Sequence, residues 1–172
     1  MKAYVHVFLI IFLAYLTSSA LGAGDVYQHG LILSLLETTN FIIHEAGHPI
    51  FSIFGEFVGF LGGTLAQLLV PLIFLGYFAL RRDILSASVM SWWCGENMIG
   101  IAHYIADARA QNLELWGGGE HDWAYLLGQM GFLRSDTAIG SSVRSLGIGI
   151  MFLSIGVLMA LFLQEWRATK NV

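Results

Sequence analysis

The chain has 172 residues, of which 56% are hydrophobic and 12% charged, with a mean hydropathy of +0.70; this is too apolar for an ordinary soluble domain and is expected of an integral membrane protein. A net charge of −4 with only eight Lys and Arg leaves no basic surface for nucleic acid. The one cysteine, Cys94, excludes an internal disulfide framework and a thiolate zinc cluster, so a metal here must be held by imidazole and carboxylate.

A helix needs about 20 apolar residues to cross a bilayer. Residues 3–22 (AYVHVFLIIFLAYLTSSALG) meet this without an Asp, Glu, Lys or Arg. Two readings of 1–23 stand: a first transmembrane helix, and a secretory signal peptide with Lys2 ahead of the apolar run and small residues for cleavage near Ala20 or Ala23. His6 reads as a packed or interfacial histidine and His29 as a loop residue. Residues 31–54 are long enough to span but contain His44, His48, Glu37 and Glu45. Residues 57–80 again lack charged groups. There Gly59, Gly62, Gly63 and Ala66 let a second helix approach closely, Gln67 offers a polar group to a ligand or substrate, and Pro71 kinks the helix beyond it.

In residues 84–106 and just beyond, Glu96, Gly100, His103 and Asp107 follow spacings of four, three and four. They form one polar stripe. The stripe either faces its counterpart on 37–48 or bonds to neighbouring helices as structural glue. Residues 109–140 form the one long extramembrane stretch. It holds GGGEHDW and then AYLLGQMGFL, which is too short to span and suits a short interfacial helix. Residues 145–163 complete the set. With no internal repeat or low-complexity linker, the expected fold is a single all-α membrane domain over 1–172: a compact, multi-pass bundle of about five transmembrane helices. Its first partner is the lipid bilayer, and its small size is compatible with an oligomer or a larger complex. If the spans alternate in direction, Lys2, Arg109, Arg134 and Arg144 fall on one side and Arg81, Arg82, Arg167 and Lys170 on the other, so the positive-inside bias assigns no orientation.

Ionisable side chains inside a membrane are costly and usually functional, which directs attention to FIIHEAGHPIF, residues 41–51. On a helix, His44 and His48 lie on one face a turn apart and can present two imidazole nitrogens to one ion. Glu45 is rotated by about 100° from His44 and sits beside the ion, where it serves as a general base toward water. This is the His-Glu-x-x-His arrangement of zinc hydrolases. Asn40 and Glu37 continue the face one and two turns away, as supports for a ligand or for substrate. Catalytic zinc usually keeps three protein ligands and one open position. The candidates for the third are His121 and Asp107, nearly level, then Asp122, then His103; all belong to the end of the bundle where His44 and His48 lie. The three glycines of GGGEHDW let backbone approach closely, and the same loop also reads as a plain solvated connection. Glu96 is a further support. Zinc follows from the ligand types, which also suit iron, manganese or cobalt.

IIHEAGHPIFSIFGEFVGFLGG resembles the first catalytic helix and following segment of the site-two-protease-like intramembrane zinc metallopeptidases, which share the His-Glu-x-x-His core followed by a glycine. The resemblance implies that His44 and His48 are zinc ligands, that Glu45 is the general base, and that the substrate is a membrane protein or peptide cleaved within the membrane. The family's second signature, an Asp-Gly pair in a later membrane helix that supplies the third ligand, has no match: Asp107 is followed by Ala108, and no other Asp precedes a Gly. The expected activity is zinc-dependent hydrolysis of membrane-associated peptide bonds. Two alternatives share the features: a metal-dependent lipid or amide hydrolase, and a non-enzymatic metal-binding membrane subunit.

Overall fold

In a computed structural model of the protein, which describes residues 2–22, 30–115 and 119–170, the regular elements are helices throughout. They are α1 (Lys2–Gly22), α2 (Leu31–Phe51), α3 (Glu56–Leu80), α4 (Ile84–Ala106), α5 (Asp122–Gln129) and α6 (Asp136–Lys170), with 3₁₀ turns at Ser52–Phe54 and Leu133–Ser135. Ala23, His29, Gly117 and Gly118 lie outside the described residues. Three segments, Tyr4–Gly22, Glu56–Leu80 and Leu133–Lys170, are long and apolar enough to cross a membrane, as expected of a membrane protein. α2 and α4 match the expected 31–54 and 84–106 closely but carry Glu37, Glu45 and Glu96. By length and composition, three of the five expected spans are therefore present among the described residues.

The interfacial helix begins two residues earlier than AYLLGQMGFL, because His121 caps it by accepting from the Ala124 amide. α6 starts nine residues ahead of the expected 145. Its first turns, DTAIGSSVRS, are too polar to read as a span. They are helical because Asp136 receives both the Thr137 amide and the Arg109 guanidinium, and because Gly140 lies against the Ala102 carbonyl. About two turns further on, Gly147 and Gly95 each pack on the other's carbonyl. Lipid tails are as apolar as leucine, so helix association there rests on such close packing and on interhelical hydrogen bonds rather than on a hydrophobic drive.

Pairings between elements fix their directions. His6 meets Glu165 and the Trp92 indole donates to Thr17, so α1 runs antiparallel to α6. Asn40 bonds Glu96 while His44 approaches Tyr104, so α2 runs parallel to α4. His44 bonds Gln67 and His48 bonds Gly59, so α3 runs against α2. α1, α2 and α4 thus point one way and α3 and α6 the other. The strict alternation expected from sequence fails between α1 and α2. Gly30, which starts α2, lies beside α1, where the Tyr15 hydroxyl would lie 3.5 Å from a Cβ on it. Leu33 then packs with Leu13, Leu16, Trp92, Met151 and Leu158 in one core cluster. Ile101, Ile105, Ala108 and Leu127 form a second cluster.

Candidate metal centre

The site begins with a close helix crossing. Gly47 on α2 faces Gly62 and Ala66 on α3, so near that a methyl group on Gly47 would collide with the Gly62 carbonyl. α2 then ends quickly: Pro49 removes one helical hydrogen bond, and Gly55, at φ 105°, turns the chain into α3. That conformation suits glycine alone among common residues. The crossing lays α3 under both histidines. The His44 ring rests on Gly63, where a Cβ would lie 2.5 Å from its Nε2.

α3 also fixes the orientation of both rings. His48 Nδ1 lies 2.9 Å from the Gly59 carbonyl oxygen; a carbonyl only accepts, so Nδ1 carries the proton. His44 Nδ1 lies 3.2 Å from Gln67 Oε1 and donates in the same way. A second partner on the far nitrogen is the usual device for orienting a ligating histidine. Both Nε2 atoms then point to one place, where Asp122 Oδ2 stands 3.0 Å from His44 and 3.3 Å from His48. Three such atoms this close require a positive charge among them, a proton or a metal ion. Tetrahedral zinc with bonds of about 2.0–2.2 Å sets its ligand atoms roughly 3.3 Å apart, so the donor set and spacing suit such an ion. His44, Glu45 and His48 likewise offer ligand atoms within 4.8 Å of one another, a group that could hold a metal. Glu45 is exposed to the adjoining cavity.

Asp122 reaches the histidines because of what holds its neighbours. Its amide donates to the Tyr104 hydroxyl at 3.2 Å, and the His121 ring lies against Tyr104 with centroids 4.1 Å apart. Asp107 ends α4 and accepts the amides of Asn112 and Leu113, each at 3.0 Å. Its Oδ2 is 3.6 Å from His121 Nε2. The two residues ranked first for the third ligand are therefore turned toward each other, where they brace the 107–122 crossing, and Asp122 is the one set opposite the imidazoles. Burial works to raise the Asp122 pKa, but the His44 and His48 imidazoles facing it hold it below the ordinary carboxylate value. Burial pushes the His121 imidazole below its ordinary value, against Asp107 and Asp122.

The remaining expected residues divide. Gln67 touches His44. Asn40, a turn before it, is buried between α2 and α4, donating to Glu96 Oε2 and accepting from the Trp93 indole, both at 2.8 Å. It links the two polar stripes rather than the imidazoles. Glu37 and His103 line the cavity between α2 and α4, about 1260 Å³ in volume, into which His44, Glu45 and Asp122 also open. Sequence reasoning missed Tyr104 and the Gly59 carbonyl. Tyr104 did carry a signal, lying four residues after Gly100 and eight after Glu96 on the same helical face; a backbone carbonyl carries none.

The contact at Gly63 makes a sharp test. Gly63→Ala is expected to displace the His44 ring and to lower zinc affinity by at least tenfold, as changes to a ligand's supporting shell do. Gly76→Ala, with nothing within 4 Å of the new methyl, should leave it unchanged. Equal zinc titrations for the two variants would show that the Gly63–His44 contact positions nothing. Set beside protein-family models, curated proteins and solved structures, the chain matches none of them.

Proposed function

We propose that the protein is a membrane-embedded, zinc-dependent hydrolase, in the manner of the site-two-protease-like intramembrane metallopeptidases, with His44, His48 and Asp122 holding the ion and Glu45 acting as general base. In this reading α2 and α4 join α1, α3 and α6 in a five-helix, multi-pass bundle. The observation that carries it is the convergence of two oriented Nε2 atoms on Asp122, beside a glutamate that opens to a large cavity.

Zinc bound there supplies Lewis acidity to a substrate carbonyl and lowers the pKa of water. Glu45 takes the proton of the attacking water, whose oxygen bonds to the carbonyl carbon. As the C–N bond breaks, Glu45 returns the proton to the departing nitrogen, giving a carboxylic acid and an amine. Tyr104 accepts from the Asp122 amide and still has its own hydroxyl proton to donate. In this reading it stabilises the developing oxyanion.

The test is metal content. Protein purified in dodecyl maltoside with zinc offered, then dialysed, is expected to carry close to one zinc per chain by mass spectrometry. A chain that emerges free of zinc overturns the proposal.

A further inference from the structure

The cavity beside the metal centre is lopsided in charge. Seven of the chain's twelve Asp and Glu residues line it, against Arg144 alone of its eight Lys and Arg. A cleft lined by one sign of charge between apolar walls focuses its field on the opposite charge. An acidic lining alone says little, but a second feature lies at the inner end, between α2 and α4. Asn97 lines the cavity at 1% exposure. Its amide nitrogen donates to the Trp93 carbonyl at 3.1 Å, while its Oδ1 is buried with no partner among the described residues. Buried acceptors are nearly always paired, so this one waits for a donor. Next to it in sequence Glu96, 5% exposed, commits one oxygen to Asn40. Glu37, a turn before Asn40, lines the same end.

We propose that Glu96, Asn97 and Glu37 form a subsite that receives the ammonium or guanidinium group of a basic side chain on a peptide substrate. The subsite stands apart from the hydrolase reading; only the cleavage of its occupant rests on that reading. Asn40 and Glu37 precede His44 by four and seven residues, about 6 and 10 Å along α2. This distance is two or three residues of extended chain, so the basic residue would lie that far from the bond presented to the metal centre.

The probe is a labelled nine-residue apolar peptide with one central lysine, compared with its acetyl-lysine and glutamate counterparts. Binding to the full chain in dodecyl maltoside is read by fluorescence anisotropy. The lysine peptide is expected to bind at least tenfold tighter than either counterpart. Glu96→Gln, which keeps an acceptor for Asn40, should reduce that preference below threefold, whereas Glu120→Gln on the cavity's exposed loop should preserve it. Asn97→Asp should raise it several-fold, a gain that misfolding cannot produce. Equal binding of the lysine and acetyl-lysine peptides, or a preference that Glu96→Gln leaves intact, overturns the proposal. The preference should persist in the His44→Ala, His48→Ala double variant, so failure of zinc binding or hydrolysis counts against the hydrolase reading and not against this subsite.

Discussion

Replacing His44 and His48 together with alanine should abolish zinc binding, and Asp122→Ala should weaken it by two orders of magnitude or more, whereas Asp107→Ala and His121→Ala should cost about ten- to a hundredfold as losses of outer support. Two Nε2 atoms meet the Asp122 carboxylate at 3.0 and 3.3 Å, while Asp107 and His121 face each other and act through the backbone that carries Asp122. Because imidazole and carboxylate ligands bind metal only when deprotonated, zinc occupancy in the parent should fall as the pH is lowered. Inductively coupled plasma mass spectrometry of each variant, with a zinc titration against a competing chelator, gives both quantities. If His121→Ala proved as damaging as the double histidine variant while Asp122→Ala bound zinc normally, the assignment of Asp122 would be wrong.

Much of this centre was legible because a helix translates spacing into geometry. His44, Glu45 and His48 needed only a period of 3.6 residues, and the polar stripe on 84–106 needed little more; Asn40 and Glu96, one from each stripe, do bond to each other. The order of the third-ligand candidates was not legible. Asp107, His121 and Asp122 are polar residues at the same end of the bundle, and which of them turns inward depends on loop contacts: the Tyr104 hydroxyl on one amide, and Asp107 spent on two others. No periodicity encodes those. The direction of α1 was illegible for a similar reason. Hydropathy measures a span's length and says nothing of which neighbour it docks on, so the meeting of His6 with Glu165 and of Thr17 with Trp92 appears only in three dimensions. The start of α6 was hidden by its own composition, since a polar helix held by Asp136 and by glycine packing resembles a loop in sequence.

Glu45→Gln separates an enzyme from a metal-holding subunit. Glu45 is exposed to the cavity, and the glutamine variant keeps its size and polarity, so zinc content should stay within a few tens of per cent of the parent. Hydrolysis should fall by about 10²–10⁴-fold, the usual contribution of a positioned general base. The measurement is cleavage of a mixed library of apolar peptides in detergent micelles, read by mass spectrometry over matched times for parent and variant. A loss of cleavage with zinc retained assigns proton transfer to Glu45, because the proposed ligands His44, His48 and Asp122 are untouched. A loss of both would make Glu45 a ligand instead, consistent with the 4.8 Å grouping it makes with the two imidazoles. If the variant cleaved within threefold of the parent, proton transfer would have to pass through another group. Tyr104 would then be the first to replace, since its hydroxyl oxygen already accepts from the Asp122 amide and Tyr104 lines the same cavity.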